Sequence, residues 1–225
     1  EAYHKMYHSA QQFGDLPMQV SALTKLGFLT GLIKGQFPEA ESHLAEADRL
    51  TRECGDPSGL AKLHMTYCYM RVPFGSFDEA VGHLEEAVEI GQNLEMEEPR
   101  LFGLTHIANT LAYMKRFEES HEKALEVLPL AERLGNRKWQ SELLGLSTPN
   151  YHLRNDDLDA AAKSAQHAAD LAVPIGAAEQ EGYANISLGI ICWFRGEYEA
   201  AVGYYEAALK AGRTSGIPFI QVSAL

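Results

Sequence analysis

Residues 35–47 read GQFPEAESHLAEA, and residues 75–87 read GSFDEAVGHLEEA. The phrase returns as KRFEESHEKALEV at 115–127, DDLDAAAKSAQHA at 156–168 and GEYEAAVGYYEAA at 196–208. Its third residue is Phe37, Phe77, Phe117, Leu158 or Tyr198, at intervals of 40, 40, 41 and 40 residues. A fixed period of this length marks one supersecondary unit copied and stacked, not a single globular core.

Inside the phrase, small or apolar residues fall at fixed offsets from the marker. Ala40, Ala80, Ser120, Ala161 and Ala201 lie three after it, and Ala47, Ala87, Val127, Ala168 and Ala208 ten after it. Leu44, Leu84, Ala124, Ala165 and Tyr205 lie between them, at seven. Offsets of 0, 3, 7 and 10 trace one helix face, and its small residues let a second helix approach closely. Acidic residues such as Glu39, Asp78, Glu118, Asp159 and Glu199 follow the marker, where the dipole of a first helical turn favours negative charge. This is helix B of each copy.

Gly35, Gly75 and Gly196 stand two before the marker, with Lys115 and Asp156 in the other copies. A second set of turns closes helix B: Gly14, Gly55, Gly135, Gly176 and Gly216, with Leu94-Glu95 in the second copy. Glycine after a helical run is the preferred C-terminal cap. Between the two sets runs helix A, expected at about 16–34, 57–72, 98–114, 137–154 and 177–195, with Pro57, Pro99 and Pro218 at helix starts. Pro129 and Pro149 fall in helix interiors, where a missing N–H kinks the chain. Bends are expected at both, and the fourth copy, where the beat slips to 41, should be the least regular. Residues 1–13 read as the tail of an earlier helix B and 217–225 as the start of another helix A.

Composition narrows the function. The 225 residues are 46% hydrophobic, and 31 acidic against 19 basic side chains give a net charge of −12. That balance argues against a binder of nucleic-acid backbones. Cys54, Cys68 and Cys192 form no CxxC pair and suit a reducing, cytoplasmic setting. No stretch approaches 18 uninterrupted apolar residues, so no membrane partner is expected. His4 and His8 share a helix face, but two imidazoles do not close a metal site. Phosphate loops, nucleophile elbows and dinucleotide glycine fingerprints are missing, so neither catalysis nor a cofactor is expected.

A helix followed by Gly-x-aromatic-x-x-Ala, with another Ala seven on, resembles the tetratricopeptide repeat (TPR). Cys68, Ala108 and Gly189 match the family's small residue nine before the aromatic, whereas Phe28 and Pro149 do not. The 40-residue period and the recurrent Phe13-Gly14-Asp15 and Leu134-Gly135-Asn136 turns resemble the long-helix TPR arrays of LuxR-type bacterial regulators, signal-transduction ATPases and cyclases. The resemblance implies an all-α, right-handed superhelical solenoid: five antiparallel helix pairs over residues 1–225, with partial helices at both ends, as one array within a longer protein.

The resemblance also implies a concave groove lined by helix A at positions 15, 12, 8 and 5 before the marker. Carried over, those positions place Lys25, Lys62, Met65, Tyr69, Phe102, Thr105, Asn109, Asn150, Tyr183 and Trp193 in the groove. Ala22, Leu29 and Leu32 fall there too, and Asn109 and Asn150 share one repeat position. The implied function is a scaffold binding a protein, a peptide or another segment of the parent chain, as the regulatory or sensor part of a signalling or transcription-regulating protein. A small-molecule sensor near Tyr183 and Trp193 and a purely architectural array, with homodimers formed through the cut ends, are the alternatives.

Overall fold

The structure, a computed structural model, describes residues 1–216 and 218–223; of the helix expected over 217–225, Pro218–Ser223 is formed and the rest lies outside the described residues. Every regular element among the described residues is helical. By packing, the chain divides into two compact units, Glu1–Leu104 and Thr105–Leu225.

The first unit holds α1 (Ala2–Phe13), α2 (Leu16–Phe28), α3 (Phe37–Cys54), α4 (Pro57–Arg71), α5 (Phe77–Asn93) and the start of α6 (Glu97–Tyr113). Helix B is α3 or α5, and its partner A helix is α2 or α4. The small-residue face behaves as its spacing requires: Ala40, Leu44, Ala47, Ala80, Leu84 and Ala87 are wholly buried. Val20, Leu23, Leu50, Leu63 and Met70 complete the core around α3. By length and composition, Leu16–Ile33 is apolar enough to cross a bilayer, with a mean hydropathy of 1.2 over 18 residues. Half of that window is buried inside the protein, so packing accounts for its apolar character.

The second unit holds α7 (Phe117–Arg133), α8 (Arg137–Glu142), α9 (Thr148–Arg154), α10 (Leu158–Ala172), α11 (Ala178–Phe194), α12 (Tyr198–Ser215) and α13 (Pro218–Ser223). Ala161, Ala165, Leu188 and Ile191 form one cluster, and Ala168, Ala169 and Ala184 another. Asn136 and Asp157 open their helices by accepting the N–H of Trp139 and Ala160, as Asp15 does for Met18 in the first unit.

Both sets of turns are left-handed. The eight turn glycines have φ between 62° and 77°. Where the sequence substitutes another residue, the backbone does not relent: Glu95, Lys115 and Asp156 stand at φ 55°, 61° and 57°. For a residue with a Cβ this costs about 1–2 kcal/mol. Part of that is regained with glycine, whose freer unfolded chain offsets some of the benefit. Lys115→Gly is therefore expected to stabilise the protein by about 0.5–1 kcal/mol, read as a higher denaturant midpoint at unchanged slope. Asp156→Gly should do less, because Asp tolerates this region better.

The two interior prolines are accommodated differently. Helix α7 runs as one element through Pro129. Around Pro149, helix A splits into α8 and α9 with a π-helical turn, Leu143–Ser147, between them. The same device sits in the first copy, where a π turn at Leu29–Ile33 extends α2. Counting between left-handed and marker residues explains both. Gly14 to Phe37 and Gly135 to Leu158 span 23 residues; Gly55 to Phe77, Glu95 to Phe117 and Gly176 to Tyr198 span 22. A π turn absorbs the extra residue inside an otherwise α-helical segment. In the fourth copy its carbonyls are served by side chains: Ser164 Oγ donates to Leu144, Ser187 Oγ to Gly145 and Asn150 Nδ2 to Leu146. The Gly145 carbonyl is the one that residue 149 would serve in an α-helix, and proline has no N–H to give.

Candidate functional site

The first unit carries a groove of about 440 Å³ across the A helices α2, α4 and α6. Its aromatic residues form a ladder. Phe28 meets Tyr69 edge-on at 5.8 Å, and Tyr69 meets Phe102 edge-on at 5.5 Å. Met65 and Thr24 line the wall. Lys25 and Lys62 are exposed along the groove, with Asp56 near one end. Lys25 bonds Ser21 Oγ at 3.1 Å and lies over the Tyr3 ring at 5.5 Å. A ligand entering here meets the half-buried Phe28 and Tyr69 rings, backed by the buried Phe102, and ammonium groups at the rim, a combination suited to side chains that carry both apolar surface and negative charge.

Five residues expected in a groove from the repeat positions, Lys25, Lys62, Met65, Tyr69 and Phe102, line this one. Further lining residues, Thr24 and Phe28 among them, lie outside the expected set. The π turn is the reason. It places a residue more between helix A and its marker, so positions counted backward from Phe37 are one too far along. Counted forward from Gly14, the residues equivalent to Lys62, Met65 and Tyr69 are Ser21, Thr24 and Phe28. Ala22, counted from the marker, is instead wholly buried.

In the second unit the expected set comes apart. Thr105 is wholly buried, and its hydroxyl has no hydrogen-bond partner. Asn109 is buried as well and belongs to a closed network. Asn150 is half-buried and spends its amide on its own helix, at Leu146 O. The expected equivalence of Asn109 and Asn150 is therefore corrected: the π turn puts Pro149, not Asn150, in register with Asn109. Tyr183 is half-buried, and Trp193 is 56% exposed with its ring against Phe194 at 5.1 Å.

The network around Asn109 was not anticipated. Its centre is Glu142, only 2% exposed. Asn109 Nδ2 donates to one carboxylate oxygen and Gln180 Nε2 to the other, both at 2.8 Å. Ser147 Oγ donates to Asn109 Oδ1 at 2.8 Å, and His106 Nδ1 stands 3.6 Å from Glu142. Glu142 thus ties α8 to α6 and to α11, joining three successive A helices. Burial raises its pKa against the pull of the Gln180 amide, the Lys138 charge and the Asn109 amide. Burial likewise drives His106 down to about 4, a neutral ring at pH 7. Counted forward from Gly135, Glu142 is the equivalent of Lys62 and Phe102, and that count is the signal that would have found it. Among the described residues, no group of three or more His, Cys, Asp or Glu side chains is set to hold a metal ion.

No protein-family profile and no curated protein matches the sequence. Solved structures do match the fold. BtubC (BKLC) from P. vanneervenii superposes with a TM-score of 0.70 at 18% identity, covering 96% of this chain and 90% of that one. A signal transduction ATPase with numerous domains (STAND) carrying a tetratricopeptide repeat sensor, from Pyrococcus horikoshii, gives 0.68 at 14% identity. That match covers 97% of this chain and 37% of the ATPase. MamA from Desulfovibrio magneticus RS-1 gives 0.53 at 16% identity, over 89% of this chain and 97% of that one. The fold is a TPR-like helical repeat. At these identities the likeness speaks for architecture alone, and the function has to be argued from the groove.

Proposed function

We propose that this chain is a protein-interaction scaffold, cytoplasmic and without catalysis of its own, that holds a peptide or protein segment in the groove of its first unit. The observation that carries the reading is the Phe28–Tyr69–Phe102 ladder beneath two exposed lysines. Aromatic anchors in a recess supply most of the affinity at protein interfaces, while rim charges steer and select. The segment bound is a protein's own, in trans or from the same parent chain. We further read the array as the sensor or regulatory segment of a larger signalling or transcription-regulating protein. The fold it shares with the TPR sensor of a STAND ATPase supports that reading.

The test is a selection of peptides from a random library on the purified chain, followed by titration of the winners. Tyr69→Ala is expected to weaken binding at least tenfold, and Lys62→Glu several-fold with reduced salt sensitivity, since less attraction is left to screen, at unchanged helicity. Lys62 is exposed, so its replacement leaves the fold intact. Selected peptides that bind both variants as they bind the parent chain would remove the groove from the proposal.

A further inference from the structure

Away from the groove, two imidazoles meet where the second copy folds on itself. His64 lies on α4 and His83 on α5, and their Nδ1 atoms stand 3.1 Å apart. His64 is buried. His83 is half-buried, with its ring stacked on Tyr67 at 4.7 Å and 11°. Such a pair has two uses. One neutral ring can donate its Nδ1 proton to the other, or both nitrogens can offer lone pairs to one cation. Burial lowers both pKa values, and at His83 the charge of His64 lowers it further. Neutral imidazole is the form that ligates.

We propose that His64 and His83 form an open two-nitrogen site for a borderline divalent cation of the zinc type, linking α4 to α5. At the usual Zn–N length of about 2.0–2.1 Å, nitrogens this far apart subtend about 100° at the metal, close to the tetrahedral angle. The separation fits without a shift of either helix; the rings turn to aim their lone pairs at the ion. Tyr67 holds the plane of the His83 ring, the orienting role of an outer-shell partner. The half-exposed side of His83 is the way in.

The surrounding charge favours a cation. Glu86 and Asp48 act on His64, and Glu79 and Glu41 on His83, against Arg52 and Arg71. Both arginines are already engaged: Arg52 by Asp48, and Arg71 by Glu41 and Glu79. Glu86 is exposed and sits three residues along α5 from His83, on the same helix face. A rotamer change can bring it in as a third ligand, with water completing the shell. Loading shifts one tautomer, as the donated Nδ1 proton moves to Nε2 through solvent. Between neutral rings no proton is released, so affinity is flat with pH above the lowered histidine pKa values. An open shell of this kind exchanges its ion, unlike a closed structural site.

The experiment is a titration of zinc ion alone into the untagged chain at pH 7.5, followed by calorimetry and by the thermal midpoint. Saturation at one zinc per chain is expected, with Tm raised by about 5 °C when zinc is well above its dissociation constant. His83→Gln should weaken zinc binding at least tenfold, His64→Gln should do the same, and Glu86→Gln should weaken it several-fold. If the buried His64 variant does not fold, the half-exposed His83 variant decides. A parent chain with no zinc-dependent shift has a hydrogen-bonded pair only, and the site is overturned. A response undiminished in His83→Gln places the zinc on other side chains and overturns it equally.

Discussion

Glu142→Ala is expected to destabilise the protein by about 3–5 kcal/mol at pH 5.5. Removing the carboxylate leaves Asn109 Nδ2 and Gln180 Nε2 without the acceptors they hold at 2.8 Å. Each buried, unserved amide costs about 1–3 kcal/mol, and the space vacated by the side chain adds a cavity term. Glu142→Gln keeps the volume but not the pattern. Its amide offers one acceptor oxygen where two donors converge, so one donor still faces an NH₂ group.

The loss should also depend on pH, with a definite sign. Burial raises the folded pKa of Glu142 above its unfolded value. The contribution of this carboxyl is then complete below the unfolded pKa, about 4.3–4.5, and declines as pH rises through the raised folded value. Above it the parent chain carries the cost of a buried charge that the alanine variant lacks. The difference between parent and variant, from denaturant titrations at pH 5.5 and 8.5, should therefore shrink at the higher pH. A difference that widens instead would mean that the two amides hold the carboxylate ionised more strongly than burial opposes it.

Gly103→Ala should cost about 2–3 kcal/mol, against its own helix propensity. Alanine is favoured over glycine inside a helix by about 1 kcal/mol, so on an exposed face this change would stabilise α6. Here a Cβ would lie 2.4 Å from Val88 Cγ2 and 2.9 Å from the Leu84 carbonyl oxygen on α5. Neither neighbour gives easily, since valine is stiff at χ1 and the other atom is backbone. Relief requires α5 and α6 to separate, and overpacking of this kind costs about 1–3 kcal/mol or more. Gly82→Ala is the internal control. Its added Cβ meets nothing within 4 Å, so only the propensity gain remains and its thermal midpoint should rise. Equal behaviour of the two variants would mean that α5 and α6 can separate at little cost.

Much of this was legible in the residues. The period of Phe37, Phe77, Phe117, Leu158 and Tyr198 announced helix pairs, and the alanines three and ten residues on are the buried contact face. Turn glycines marked left-handed positions so reliably that Lys115 and Asp156, standing where glycine stands elsewhere, adopt the same backbone. The groove emerged where the count was sound. Tyr69, Lys62, Met65 and Phe102 lie in copies without a π turn, and they converge.

The count failed where one residue too many entered helix A. One residue is about 100° around a helix, so a slip of one turns a wall position into a core position. For that reason Ala22 is core and Thr24 lines the groove, and Asn109 and Asn150 do not correspond: one is buried in a network and the other bonds its own helix. The interval from Gly14 to Phe37 held the missing information, since it matches Gly135 to Leu158 and exceeds the other three.

Local rules act within one copy: periodicity, caps, left-handed turns and the small-residue face all depend on neighbours a few residues away. The sequence by itself therefore determined the class of fold, the helix pairs and the inward face of each helix B. Meetings between copies depend on the rotational phase of whole helices, and only the tertiary structure decides that phase. Glu142 between Asn109 and Gln180 and the aromatic ladder from Phe28 to Phe102 join residues 33 to 41 positions apart. No short-range pattern specifies them, because each depends on where a turn places its extra residue and how closely the next helix can approach.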